Sequence, residues 1–245
     1  MTSALAHFAA LLAAASLLWA QEAKEPGLTA EQVLERSIQA TGGRAVMEKL
    51  TSTVAKGQME VRPLDLKAAI EFYAQAPAKR LIVTKVEKAG ELRQGCDGKA
   101  AWTHDPERGL RELEGAELAA ELRTCAFNAE LRWRELYPKV ELAGKEKVGE
   151  REAHKVIMTP AAGKPITRYF DAATFLLIRE VSTREVSDVP VEMRVDYSDY
   201  RDVDGVKMPF LITQRMPGAV VLVQFTEVKN NVALDDARFA KPAAK

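Results

Sequence analysis

Few side chains in this 245-residue chain have the chemistry to cut, transfer or hold a metal, and their spacing does not suit it. His104 precedes Asp105, but no serine stands in a nucleophile-elbow pattern, so a turn histidine is the expectation. Gly163-Lys164-Pro165 lacks the glycine spacing of a phosphate cradle and reads as a turn. Asp196, Asp199, Asp202 and Asp204 offer the oxygen ligands that calcium takes, yet no central glycine and distal glutamate fall in register. A strand with one wet face, closed by the Asp204-Gly205 turn, accounts for all four. Two cysteines and the histidines His104 and His154 show no zinc-ligand spacing, so neither a metal nor another cofactor is expected.

Cys96 and Cys125 are then the remaining reactive pair. In an oxidising compartment they would form a disulfide, closing a loop of about 30 residues and contributing about 3–4 kcal/mol. The alternative is two buried free thiols.

The elements that must position any site are mostly strands. In the C-terminal half Val191, Met193, Val195 and Tyr197 alternate with Glu192, Arg194, Asp196 and Ser198, the period of a strand with one dry face. Strands follow over 206–216 and 219–228, separated by Pro217-Gly218, with Val221, Val223 and Phe225 again alternating. Nearer the N-terminus Ala55, Gly57, Met59 and Val61 share one strand face, and Leu66, Ala68, Ile70 and Phe72 share the next. Residues 80–87, 91–96 and 99–104 continue the sheet, the last two joined by Asp97-Gly98. Four further strands are expected between Val140 and Val181, about twelve in all.

Two segments break this period. Thr29 and Gln32 make a capping box for a helix carrying Val33, Leu34 and Ile38, stopped by Gly42-Gly43. Leu118, Leu122, Cys125, Ala126, Ala129 and Trp133 trace a second helical stripe, broken near Asn128 and ended by Pro138. The fold class is α+β, mainly β: a strongly curved antiparallel sheet whose open side is covered by the N-terminal helix and the inserted helical segment.

Residues 1–20 are uncharged and apolar up to Ala20, then turn polar, which reads as an export signal cleaved after Ala20, although the missing basic n-region leaves an uncleaved anchor open. Residues 21–28 form a lead-in, and 29–245 form a single domain. Lys plus Arg (35) balance Asp plus Glu (35), interspersed, which argues against a nucleic-acid groove or a polybasic membrane patch.

Several stretches together carry a family likeness: ATGGRAVMEKL, DGKAAW, LRWRELYPKVELAGKEKVGEREAHKV, YFDAATFLLIRE, DYSDYRDVDGVKMPF and FTEVKNNVALDDARFAKP. On these the chain resembles the periplasmic lipoprotein carriers and outer membrane lipoprotein-sorting proteins. The resemblance implies an unclosed β-barrel wrapped over helices, a cavity for acyl chains and no catalytic chemistry. No binding residue of those carriers is transferred to a position here.

The expected function is thus an exported, non-enzymatic, monomeric carrier of lipid or lipoprotein acyl chains or another apolar ligand, working with a membrane-associated donor or acceptor protein. Candidate cavity or lid residues are Leu118, Leu122, Ala126, Trp102, Trp133, Phe170 and Phe175, against the alternative that each is simple packing. A filled-core interaction domain is the competing reading, and a hydrolase without a recognisable motif is the third.

Overall fold

A computed structural model describes residues 27–186 and 189–242. The apolar run at 1–20, with its cleavage point, lies outside the described residues. Alternating apolar and polar side chains build thirteen strands among them: β1 (Ser52–Arg62), β2 (Leu66–Gln75), β3 (Lys79–Val86), β4 (Gly90–Cys96), β5 (Ala101–Asp105), β6 (Gly109–Glu112), β7 (Lys139–Val148), β8 (Arg151–Thr159), β9 (Ile166–Asp171), β10 (Leu177–Val186), β11 (Val189–Val203), β12 (Val206–Met216) and β13 (Ala219–Asn230). The thirteenth, absent from the sequence expectation, is β6, a four-residue edge strand too short to show a period.

All strands join one antiparallel sheet in the order β6-β5-β4-β3-β2-β1-β13-β12-β11-β10-β9-β8-β7, which leaves β6 and β7 as unpaired edges and the barrel unclosed. Charged residues such as Lys139, Glu141, Lys145 and Lys147 on β7 discourage pairing with another chain.

Helices cover the concave side. The capping box is formed as expected, with Thr29 Oγ1 accepting from the Gln32 amide (3.2 Å) and Gln32 Oε1 from the Thr29 amide (2.9 Å). It starts α1 (Ala30–Thr41), and α2 (Arg44–Met47) follows. Gly42 between them has φ 141°, and any Cβ there would strike the Gly205 carbonyl of the β11–β12 turn, so only glycine lets α1 close on the sheet. The inserted segment links the two sheet edges: α3 (Gly115–Cys125), a 3₁₀ turn (Ala129–Arg132) and α4 (Trp133–Leu136). Asn128, at φ 50°, makes the expected break.

Cross-strand register sorts the two faces. One inner row runs Leu142, Val156, Arg168, Glu180, Val195, Gln214, Val221 and Val61, and a neighbouring row runs Tyr197, Ile212, Val223 and Met59. α1 packs Val33, Leu34 and Ile38 onto Val156, Met158 and Phe170 in the main core. The outer row Val54, Tyr73, Leu81, Gly95 and Trp102 is also dry, because the C-terminal segment crosses it and buries Phe239.

Candidate functional site: a roofed cavity with a polar floor

A cavity of about 210 Å³ lies between the roof helices and the inner face of β9–β12. Its walls include Leu34, Ile38, Met47, Trp133, Phe170 and Met208. The roof is tied together by polar contacts. Glu35 Oε1 accepts from Trp133 Nε1 (3.2 Å) and Arg134 Nη1 (2.7 Å), and Asn128 Nδ2 donates to the Met47 carbonyl (2.7 Å). Arg134 bonding holds the Glu35 carboxyl below its usual range even though burial, the largest influence, pushes it up.

The floor is not purely apolar. Arg168 and Glu180 stand directly opposite each other on β9 and β10, and Arg168 Nε donates to Glu180 Oε2 at 2.8 Å. Burial opposes the charged guanidinium, but Glu180, Tyr137 and Glu130 outweigh it and raise the Arg168 pKa. Tyr200 donates its hydroxyl to the Leu177 carbonyl (2.6 Å). Burial, then the Glu180 charge, pushes Tyr197 up, and burial likewise raises Tyr200, so both phenols stay protonated at neutral pH.

Beyond the roof the cavity wall continues as open sheet. The row that starts at Tyr197 carries on through Ile212, Val223 and Met59, all half-buried, giving an apolar trough along the inner face.

Of the sequence candidates, Trp133 and Phe170 line the cavity. Phe175 sits in the β9–β10 turn instead, stacked on His154 (5.3 Å between centroids) with Arg36 over it (5.2 Å). Leu118 and Leu122 pack on the buried cluster of Cys96, Ala101, Leu113 and Cys125 at the β4–β5 end, and Ala126 is buried after α3. Trp102 faces the other way: its ring lies over Gly95 on the outer face, beneath the C-terminal segment. Alternation assigns a residue to a face but not to the roofed one, which is why Trp102 reads as a cavity candidate in sequence.

The expected Cys96–Cys125 disulfide is not formed in this structure, where both are buried free thiols. They lie side by side. The Cys125 thiol and the Gly98 amide (3.4 Å) favour a Cys96 thiolate and lower its pKa, while the shared bond and burial push Cys125 up. Each sulfur has a partner without a covalent bond: the Cys96 thiol donates to the Ala78 carbonyl (3.9 Å) and the Cys125 thiol to Glu121 Oε1 (3.8 Å). The acidic residues of β11 are likewise occupied: Asp196 binds Arg179 (2.5 Å) and Arg215, Asp199 binds Arg201 (2.7 Å), and Asp202 accepts from the Gly205 amide (3.0 Å).

Arg168, Glu180 and Tyr197 were not among the sequence candidates. A signal existed: Arg168 stands between Ile166 and Phe170 on an otherwise apolar face, an unusual place for a charge unless a partner waits across the strand.

His154 gives this end of the sheet a pH dependence. Burial, then Lys145 and Arg36, lowers its pKa below the unfolded value of about 6.5. The neutral ring is the one the fold favours, so its contribution is complete above that value and is lost as pH falls through it toward the folded value. Between about pH 7 and about pH 5 the native chain is therefore expected to lose more stability in urea titrations than His154→Gln. Equal losses would show that the ring is not strained by protonation.

No family model matches the chain, and no curated protein matches it by sequence. Solved structures do. A DUF1329 family protein from Desulfovibrio piger superposes with TM-score 0.60 at 14% identity, over 86% of this chain and 97% of that one. A LolA superfamily protein from Nitrosomonas europaea gives 0.61 at 13%, over 87% and 98%. A domain described as an outer membrane lipoprotein-sorting protein, from Vibrio parahaemolyticus, gives 0.59 at 10%, over 86% and 97%. The unclosed sheet wrapped over helices is the fold of the LolA superfamily, and this chain has it.

Proposed function

We propose that the protein is an exported, non-enzymatic carrier that shields acyl chains or a similar apolar ligand, receiving it from and passing it to a membrane-associated partner. The observation that carries this reading is the roofed cavity opening into the apolar trough of Ile212, Val223 and Met59. The apolar N-terminal run and the fold shared with lipoprotein-sorting domains support it. At about 210 Å³ the cavity falls below the ~300–1,000 Å³ of sites that enclose a drug-sized ligand, so a long chain would seat one part under the roof and lay the rest in the trough. Burial at about 0.8 kcal/mol per methylene gives about 8 kcal/mol for ten methylenes, a reversible, micromolar-scale hold before ordering costs.

Native mass spectrometry of protein purified without detergent tests the reading directly. Adducts of acyl-chain mass, lost on solvent extraction, are expected. A bare mass that takes up no added lipid would instead favour a filled-core interaction domain. Ser37 on α1 lines the cavity and is buried, so Ser37→Phe should plug the space. Its expected signature is at least tenfold weaker uptake of a fluorescent hydrocarbon with the melting temperature kept or raised, since filling a void is usually stabilising.

A further inference from the structure

The floor of the cavity is built to meet a particular chemical group. Arg168 commits only Nε to Glu180, and its two Nη groups make no hydrogen bond to any described residue. Its guanidinium carbon lies over the Tyr137 ring, 5.7 Å from the ring centre. The Tyr197 hydroxyl also lacks a hydrogen bond to any described residue, whereas its neighbour Tyr200 is satisfied. Both Arg168 and Tyr197 line the cavity. Donors without a protein partner at a cavity wall are offered to whatever fills the space, water or the acceptor of a ligand.

The charge balance narrows the acceptor. Arg168 is already neutralised by Glu180, and the only other charged groups lining the cavity among the described residues, Glu130 and Lys207, are exposed at its rim. A carboxylate or phosphate brought to Arg168 would meet a guanidinium already paired with the Glu180 carboxylate, with no second buried cation to offset the added charge. An uncharged carbonyl adds acceptor capacity and no charge.

Resting on the carrier reading, we infer that Arg168 and Tyr197 form a subsite for the neutral carbonyl of an acyl ester or amide, placing the polar link of the ligand at the cavity floor with its chain directed along the trough. The carrier then distinguishes acylated molecules from both plain hydrocarbons and free fatty acids.

The test is competition against diphenylhexatriene, a hydrocarbon fluorophore, bound to the purified protein. Methyl decanoate is expected to displace it about tenfold more tightly than decane, the discrimination expected from about one additional hydrogen bond. It is also expected to compete better than decanoate at neutral pH. Tyr197→Phe, which removes one oxygen and no packing atoms, should erase most of the ester advantage while leaving decane unchanged. Equal competition by ester and alkane, or stronger competition by the decanoate anion, would overturn the subsite and leave the carrier intact. Failure of the protein to take up diphenylhexatriene at all would overturn the carrier reading and the subsite with it.

Discussion

Arg80→Ala is expected to destabilise the fold by about 3–5 kcal/mol, the cost of stranding one member of a buried ion pair. Glu121 of α3 is only 5% exposed, and Arg80 on β3 binds its carboxylate through Nη2 while Nη1 reaches the Thr124 carbonyl (3.1 Å). Gln94 Nε2 adds a bond to the same carboxylate oxygen at 3.1 Å. Without Arg80 the carboxylate keeps only that amide and the Cys125 thiol (3.8 Å) in a dry cluster. Urea unfolding measures the loss, and hydrogen exchange should show residues 115–125 opening ahead of the sheet. The double variant Arg80→Met, Glu121→Leu should recover most of the stability, because replacing both charges by apolar groups removes the desolvation penalty along with the attraction. A single variant that costs under about 1 kcal/mol would mean that α3 is held by Leu118 and Leu122 alone.

Phe239→Ala should cost about as much, about 3–5 kcal/mol, through a different mechanism. Phe239 is 1% exposed and packs with Val54, Tyr73, Leu81, Val83 and Trp102. Around it the C-terminal segment is fixed by Lys79 to Asp236 (2.7 Å), Lys241 to Glu112 (2.5 Å) and Arg238 stacked 4.3 Å from the Tyr73 ring centre. Those exposed pairs cannot replace the ring, since surface ion pairs contribute little. The phenylalanine lies on the face away from the cavity, so the variant should unfold at lower urea yet take up a hydrocarbon probe normally while folded. Loss of uptake in the still-folded variant would couple the two faces of the sheet, contrary to the register.

Much of this architecture is legible in the sequence because a half-buried strand must alternate. Met193, Val195 and Tyr197 along β11, with Val221 and Val223 along β13, make the dry inner face that period two announces. The Thr29–Gln32 capping box places the start of α1 to the residue. What alternation cannot encode is a second cover. Tyr73 shares its strand face with Lys67 and Glu71 and reads as wet, yet it is buried because a segment some 160 residues later in the chain lies across it. The polar floor escaped for a related reason. Arg168 and Glu180 make sense only as a pair, and their pairing is a property of strand register, not of either local sequence.

The strand order carries a consequence for how the chain reaches this state. Eleven of the twelve neighbouring pairs in the sheet join consecutive strands, so β1 to β6 form one meander and β7 to β13 another. Only β1 and β13 meet across the chain, where Thr53 pairs with Asn230, 177 residues away. Loop-closure entropy is therefore concentrated in a single seam: two locally folding half-sheets can assemble cheaply, and the rate at which their inner strands find each other sets the pace for the whole molecule. The helical segment between β6 and β7 acts in that search as a tether between the outermost strands, raising the effective concentration of one half for the other.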